Sequence, residues 1–422
     1  MNDMSRFIVE ESPPLKGTVR ISGSKNSALP ILAATLMTDE LCVINDVPAL
    51  TDIFVMQNLI EDFGGNTVWD SKTETMTITA ERIEKTEACF DLVSSMRASF
   101  LVLGPMLARM GYVKVALPGG CAIGARPVDL HLKGFAAMGA EITKENGYIC
   151  AKAGRLKGAN IYLDFPSVGA TENILMAASM ADGQTIIQNC AVEPEIVDLA
   201  NFLSSIGADI RGAGTGTIRI NGVKNLSGGT HTIIPDRIEA GTFMLAAAAT
   251  RGDVLVENIV ADHLKPITAK LREAGILVQE EEKGIRVRAE HKINAIDVKT
   301  LPYPGFPTDM QAQFMALLTM AEGSSVIIET IFENRYMHIP ELVRMGAKIR
   351  IDSRSAIIDG VAKLHGAQVK ATDLRAGAAL TIAGLCAEGI TEVNDIFHID
   401  RGYSGFDEKL RQLGGRIIRM EQ

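Results

Sequence analysis

One phrase recurs six times along this chain of 422 residues: an apolar helix end, a glycine, a small or polar residue, then a strand. The copies run Leu59–Gly65, Phe135–Ile142, Phe202–Ile210, Leu271–Ile276, Leu342–Ile349 and Leu410–Ile417. Their glycines, Gly64, Gly139, Gly207, Gly275, Gly346 and Gly414, are spaced by 75, 68, 68, 71 and 68 residues. A left-handed helix C-cap selects glycine at such a place. A second phrase interleaves, in which an Ala-rich helix runs into Gly and a β-branched strand: Ala181–Ile187, Thr250–Val256, Ala321–Ile328 and Ala387–Val393, with looser copies around Thr38 and Gly111. Each unit thus supplies two helices and several strands, an α/β pattern. The small Ala and Gly faces predict helices buried inside sheets.

A period near 70 residues is too long for an ordinary solenoid, so a few units are expected to close on themselves. Three units in each of two domains is the economical partition. The strand Arg6–Val9 precedes the first unit and is placed with the second half, and glycines cluster at Ser227–His231. Domain I is therefore expected to comprise 1–21 plus 233–422, and domain II 22–232. Two crossings, near Ile21–Ser22 and Thr230–Ile233, would form a hinge, and a cleft between hinged domains is the expected ligand site.

Charge and cysteine usage exclude several classes. Lys plus Arg total 42 against 51 Asp plus Glu, a net charge of −9, which argues against nucleic acid as a partner. The six cysteines show no CxxC spacing and no disulfide framework, as in a reducing cytoplasm. The N-terminal segment has no apolar signal core, and no apolar run reaches the ~20 residues that span a bilayer, so a cytoplasmic protein without a membrane partner is expected. GxxxxGK[ST] is absent, as is GxGxxG after the first strand, and the seven His form no HExxH. Neither a cofactor nor a metal is expected.

Residues 118–127, Pro-Gly-Gly-Cys-Ala-Ile-Gly-Ala-Arg-Pro, surround one thiol with chain breakers. The segment reads either as a Gly-rich turn around an inert small residue or as a mobile loop whose thiol is activated by exposed amides and Arg126. Lys25, Arg97, Arg126, Arg375 and Arg401 each interrupt a loop or a helix start, where backbone N–H groups favour phosphate or carboxylate. Taken singly, each fits equally a surface residue beside a helix cap. Asp309, after Tyr303-Pro304-Gly305-Phe306-Pro307-Thr308, reads as a cap or as a carboxylate that takes a proton from a hydroxyl.

Together, Ser22–Asn26, Ser95–Ser99, the Pro-Gly-Gly-Cys loop, Phe306–Gln313 and His398–Tyr403 resemble the enolpyruvyltransferase family that acts on UDP-N-acetylglucosamine, and the likeness covers the whole chain. The resemblance implies a two-domain inside-out α/β barrel with three repeats per domain. It implies transfer of the enolpyruvyl group of phosphoenolpyruvate to the 3′-hydroxyl of UDP-N-acetylglucosamine with release of phosphate, the first committed step of peptidoglycan synthesis. Matching positions put Lys25, Arg126 and Arg401 on phosphoenolpyruvate, with Arg97 and Arg375 nearby, and make Asp309 the base. Cys121 matches a loop cysteine assigned to proton donation or product release. Arg126, Pro127, Val128, Asp129 and Leu130, with Ser167, Val168, Gly169, Asn26 and Ile331, would line the sugar nucleotide. Phe165-Pro166 depart from the family, which commonly has Lys followed by an apolar residue there. Two other readings stand beside this one: a shikimate-phosphate enolpyruvyltransferase, and a silent binding protein on the same scaffold.

Overall fold

The computed structural model describes residues 5–117, 123–124 and 127–421. These divide into two compact units. One takes the residues up to Ser22, Ile123 and Gly124, and those from Pro235 onward; the other takes Gly23 to Leu117 and Pro127 to Ile234.

Each unit holds three sheets built to one plan: a short edge strand parallel to a central strand, which pairs antiparallel with one arm of a two-stranded ribbon. In the first unit, Lys16–Arg20 lies parallel to Asp253–Glu257, followed by Gly284–Arg288 and Leu277–Glu281. Val298–Lys299 likewise flanks Ser324–Ile328, then Ser355–Asp359 and Lys348–Asp352. In the third sheet Gln368–Lys370 flanks Ile390–Asn394, and the ribbon is completed by the early strand Arg6–Glu10 beside Ile417–Met420. The second unit repeats the plan around Cys42–Asn45, Gln184–Gln188 and Tyr112–Ala116. In the last of these the edge strand is reduced to a single parallel bridge, Glu87 to Lys114.

The helix that precedes the central strand is buried on nearly every side in five of the six sheets; Leu103–Met110, before Tyr112–Ala116, keeps Met110 exposed. All residues from Ile238 to Ala249 in Arg237–Ala249, all of Gln311–Leu318, and Arg375 to Leu385 in Leu374–Cys386 are buried, and these three helices pack on one another. Small residues make the approach possible: a Cβ on Gly241 would lie 2.8 Å from Ile267, and one on Gly377 2.6 Å from Ile399. Interiors packed at this density leave no room for an extra methyl. Lys25–Ala34 and Val168–Ser179 play the same part in the other unit.

The six glycines of the first phrase all take positive φ, at 103, 89, 111, 84, 95 and 93° in chain order, a region closed to most L-residues. The second phrase is less uniform. Gly183, Gly323 and Gly389 are left-handed, but in Thr250-Arg251-Gly252 the left-handed residue is Arg251, at φ 54°. Gly252 is required for another reason, since a Cβ there would meet the Leu15 carbonyl at 2.2 Å. A third recurrence is invisible to the apolar pattern: Asp46, Asn189, Asn258 and Asp395, each just after a central strand, all have φ between 54 and 58°. Asn189 and Asn258 each donate from the side-chain amide to a backbone carbonyl beyond the neighbouring edge strand, Leu163 and Ile21, at 2.7 Å. Among the described residues no helix is long and apolar enough to cross a membrane.

Candidate active site

In the first unit, Pro307 enters in extended conformation and Thr308–Met310 forms a 3-10 turn onto the buried helix Gln311–Leu318. Asp309 is held on this turn between two cations. Arg335 places Nη2 2.7 Å from its Oδ1, and Arg375 places Nη2 3.0 Å and Nε 3.3 Å from its Oδ2. Both guanidiniums are almost fully enclosed, at 4% and 3% exposure, while Asp309 keeps 26%. Two charge-assisted pairs of this kind favour the carboxylate over the acid.

Arg375 owes its place to the start of Leu374–Cys386, where Asp373 caps the helix by accepting from the amides of Arg375 (2.8 Å) and Ala376 (3.0 Å). Its guanidinium lies 5.2 Å from the centre of the Tyr403 ring, and its buried Nη1 meets no hydrogen-bond partner of good geometry among the described residues. Tyr403, from the His398–Tyr403 motif, is itself buried and bonded through its hydroxyl to Thr242 (3.0 Å) and Gln313 (3.2 Å). Burial raises its pKa, so it stays a neutral phenol. Arg401 follows the short helix Phe397–Asp400. Burial, aided by the Arg401 charge, lowers the pKa of His398. Ile331 sits in the segment after Ser324–Ile328, its amide donating to Glu329 Oε1 at 2.8 Å.

In the second unit, Lys25 opens Lys25–Ala34, with Asn26 following, and its Nζ lies 3.1 Å from Asp52 Oδ2 in a buried pair. Ser27 on the same helix bonds to Asp198, which also holds His231 Nε2 at 2.8 Å. Arg97 begins the 3-10 turn Arg97–Val102. Val128 precedes Asp129–Ala137, the helix that Asp129 and Leu130 begin, and Ser167 caps Val168–Ser179 by accepting from the Ala170 amide at 3.4 Å.

His131 ties these segments together. A Cβ on Gly169 would touch its ring at 3.3 Å, and burial, then the nearby Arg97 charge, push its pKa down to about 3. Asn173 Oδ1 accepts from the Gly104 amide at 2.7 Å, so its Nδ2 is the group that donates, to Phe100 O and to His131 Nδ1, both at 3.0 Å. This assigns the Nε2–H tautomer to a neutral imidazole.

The structure therefore groups Asp309 with Arg375 and Tyr403 in one unit, and Arg97, Val128–Leu130 and Ser167–Gly169 around His131 in the other. Phe165, at the departure from the family pattern, is exposed. Cys121 and Arg126 lie outside the described residues. Arg335, Asp52, His131 and Glu329 are partners that sequence reasoning missed. Asp52 and Arg335 sit in ordinary charged stretches without diagnostic spacing; only His131, lone among Leu130, Leu132 and Phe135, carried a hint.

Comparison with known proteins adds an independent line. Residues 9–410 match the family model described as EPSP synthase (3-phosphoshikimate 1-carboxyvinyltransferase). The chain is 60% identical to UDP-N-acetylglucosamine 1-carboxyvinyltransferase 1 of Caldanaerobacter subterraneus subsp. tengcongensis, covering 98% of this chain and 99% of that one. It is also 60% identical to UDP-N-acetylglucosamine 1-carboxyvinyltransferase 2 of Carboxydothermus hydrogenoformans, over 99% and 100% of the two chains. Among solved structures it resembles the enolpyruvyl transferase NikO from Streptomyces tendae, with a TM-score of 0.91 at 25% identity over the whole of both chains. EPSP synthase from Acinetobacter baumannii shares the α/β fold, with a TM-score of 0.79 at 18% identity over 99% of this chain and 100% of that one.

Proposed function

The chain belongs to the EPSP synthase family of carboxyvinyltransferases, and from that premise we propose that it transfers the enolpyruvyl group of phosphoenolpyruvate to the 3′-hydroxyl of UDP-N-acetylglucosamine, releasing phosphate. The observation that carries the choice of acceptor is 60% identity, over nearly the whole of both chains, to enzymes named for that reaction. The reaction is the entry to peptidoglycan synthesis, and the enzyme is cytoplasmic. The arrangement proposed for the three sheets of each unit is the inside-out α/β barrel, three repeats to a domain, with domains at 1–21 plus 233–422 and at 22–232.

The chemistry follows from what the residues can hold. C3 of phosphoenolpyruvate gains a proton, leaving C2 electron-poor. The sugar hydroxyl adds to C2 and gives its proton to Asp309, forming a tetrahedral intermediate; loss of a C3 proton and of phosphate then regenerates the enol ether. Asp309 is held by two guanidiniums and need not be a strong base. A weak base suffices, because the hydroxyl becomes strongly acidic as its oxygen bonds to C2. Lys25, Arg126 and Arg401, with Arg97 and Arg375, hold the phosphate and carboxylate. Arg375 Nη1, buried with no well-placed hydrogen-bond partner among the described residues, supports such a contact, since a buried donor is costly to leave unmet. Asn26, Arg126, Pro127, Val128, Asp129, Leu130, Ser167, Val168, Gly169 and Ile331 line the sugar nucleotide, and Cys121 delivers or removes a proton, or helps release product. No step calls for a cofactor or metal.

Phosphate release from phosphoenolpyruvate, measured with UDP-N-acetylglucosamine and separately with shikimate 3-phosphate, tests the proposal. Release that depends on the sugar nucleotide is expected. Release only with shikimate 3-phosphate would transfer the chain to the sister reaction, and release with neither, from folded protein, would leave a binding protein.

A further inference from the structure

Glu329 is a carboxylate at 1% exposure to which the proposed reaction gives no part. Its Oε1 accepts from Thr300 Oγ1 at 2.9 Å and from the amides of Ile331 at 2.8 Å and Phe332 at 3.2 Å. Its Oε2 accepts from the Thr308 hydroxyl at 2.8 Å. Thr308 in turn accepts from Arg335 Nη1 at 3.1 Å, and the other arm of that guanidinium, Nη2, is the one 2.7 Å from Asp309 Oδ1.

The direction of this chain is fixed by its ends. A guanidinium only donates and a carboxylate only accepts, so the hydroxyl between them turns its proton to Glu329 and its lone pair to Arg335. From this geometry we infer that Glu329, through Thr308, is a positioning residue for the base: it orients Arg335, which holds Asp309 Oδ1 while Arg375 holds Oδ2, and so fixes how the carboxylate meets the acceptor hydroxyl. The same carboxylate gathers the Ile331 and Phe332 amides, so one buried group sets both the base and a segment proposed to meet the sugar nucleotide. The inference rests on the reading of Asp309 as base.

The chain of bonds makes a chemical prediction that packing alone does not. In Glu329→Gln the amide keeps size and shape, and its carbonyl can still serve the Oε1 donors. Its NH2 then faces Thr308, so the hydroxyl meets a donor on both sides and its own proton has no acceptor. Thr308→Val removes the link while nearly preserving volume, and Thr308→Ser keeps it. Steady-state phosphate release should show kcat lower by about 10- to 100-fold in Thr308→Val and Glu329→Gln, the scale of a slightly misplaced catalytic group. KM for UDP-N-acetylglucosamine should change far less in Thr308→Val, and Thr308→Ser should recover most of the rate.

Thermal midpoints and active-site titration taken alongside refer each kcat to folded enzyme, and Thr308→Val keeps the test open if Glu329→Gln does not fold. Asp309→Asn is the discriminating control. If it is inactive while folded Thr308→Val keeps the wild-type kcat, the positioning role is wrong and the base stands. If folded Asp309→Asn keeps wild-type kcat, the base reading fails and the positioning role fails with it.

Discussion

The Arg335 guanidinium stands 2.7 Å from one oxygen of Asp309 across 26 residues of sequence, and it is the more deeply buried partner, at 4% exposure against 26%. The asymmetry predicts unequal costs. Asp309→Asn strands two buried cations and should cost about 3 kcal/mol or more. Arg335→Met leaves a partly solvated carboxylate that still has Arg375, and should cost roughly half as much. Urea unfolding of both variants checks the order; equal losses would mean that the two pairs do not contribute separately.

The Lys25–Asp52 pair is buried on both sides, at 9% and 7% side-chain exposure. Asp52→Asn should destabilise the protein by about 3 kcal/mol, because an ammonium is left without this counter-charge in a poorly solvated place. If Lys25 binds phosphoenolpyruvate, that anion resupplies the charge, and ligand binding adds to stability by mass action. Saturating phosphoenolpyruvate should therefore raise the melting temperature of Asp52→Asn more than that of wild type. A smaller rise would detach Lys25 from the anion site.

His131 and His338 are held neutral, with pKa values pushed down to about 3 and about 4, in both cases chiefly by burial. In the unfolded chain each titrates near 6.5, so below that pH the unfolded state binds the extra proton. Their stabilising effect is full above pH 6.5 and is lost as pH falls toward the folded values. Between pH 7 and pH 5 each should remove about 1–2 kcal/mol. Denaturant midpoints at the two pH values should converge for His131→Gln relative to wild type; an unchanged difference would show that the imidazole is not kept neutral.

The cysteines should separate sharply in reactivity. Burial drives Cys42 up to about 11 and Cys386 up to about 12, and raises Cys190. Thiols react as thiolates, so these three should resist iodoacetamide near pH 7.5 in the folded protein. Cys121, on its Gly-rich segment, should be alkylated first, and should also form an adduct with the epoxide fosfomycin. Peptide mass mapping after a short exposure decides it, and labelling of Cys42 or Cys386 ahead of Cys121 would be the adverse result.

Gly139 offers a clean measure of the repeat's helix endings. Its φ is 89° and nothing lies within 4 Å of where a Cβ would stand, so Gly139→Ala carries a backbone cost and no clash. The expected loss is about 1–2 kcal/mol. A neutral substitution would mean that the turn relaxes away from left-handed geometry.

What the sequence determined by itself is what short-range physics encodes. A glycine that ends a helix is selected by its own φ, so the six repeat positions were legible, and all six are left-handed. The Ala- and Gly-rich stretches announced helices with no solvated face, and Arg237–Ala249 is such a helix. The copy at Arg251–Gly252 shows the limit, because there the glycine answers to the Leu15 carbonyl, more than 200 residues away in sequence. The sequence also singled out Asp309 and Arg375, which the fold pairs beside Tyr403. Their partners were not legible. Nothing local distinguishes Arg335 from a surface arginine, or Asp52 from an ordinary acid in a first helical turn. Only tertiary structure decided that Arg335 meets Asp309, that Asp52 meets Lys25, and that Glu329 reaches Thr308. The reason is physical: helix endings and apolar faces are set within a few residues, whereas an ion pair exists only where packed sheets and helices bring distant charges within a few ångströms and away from water.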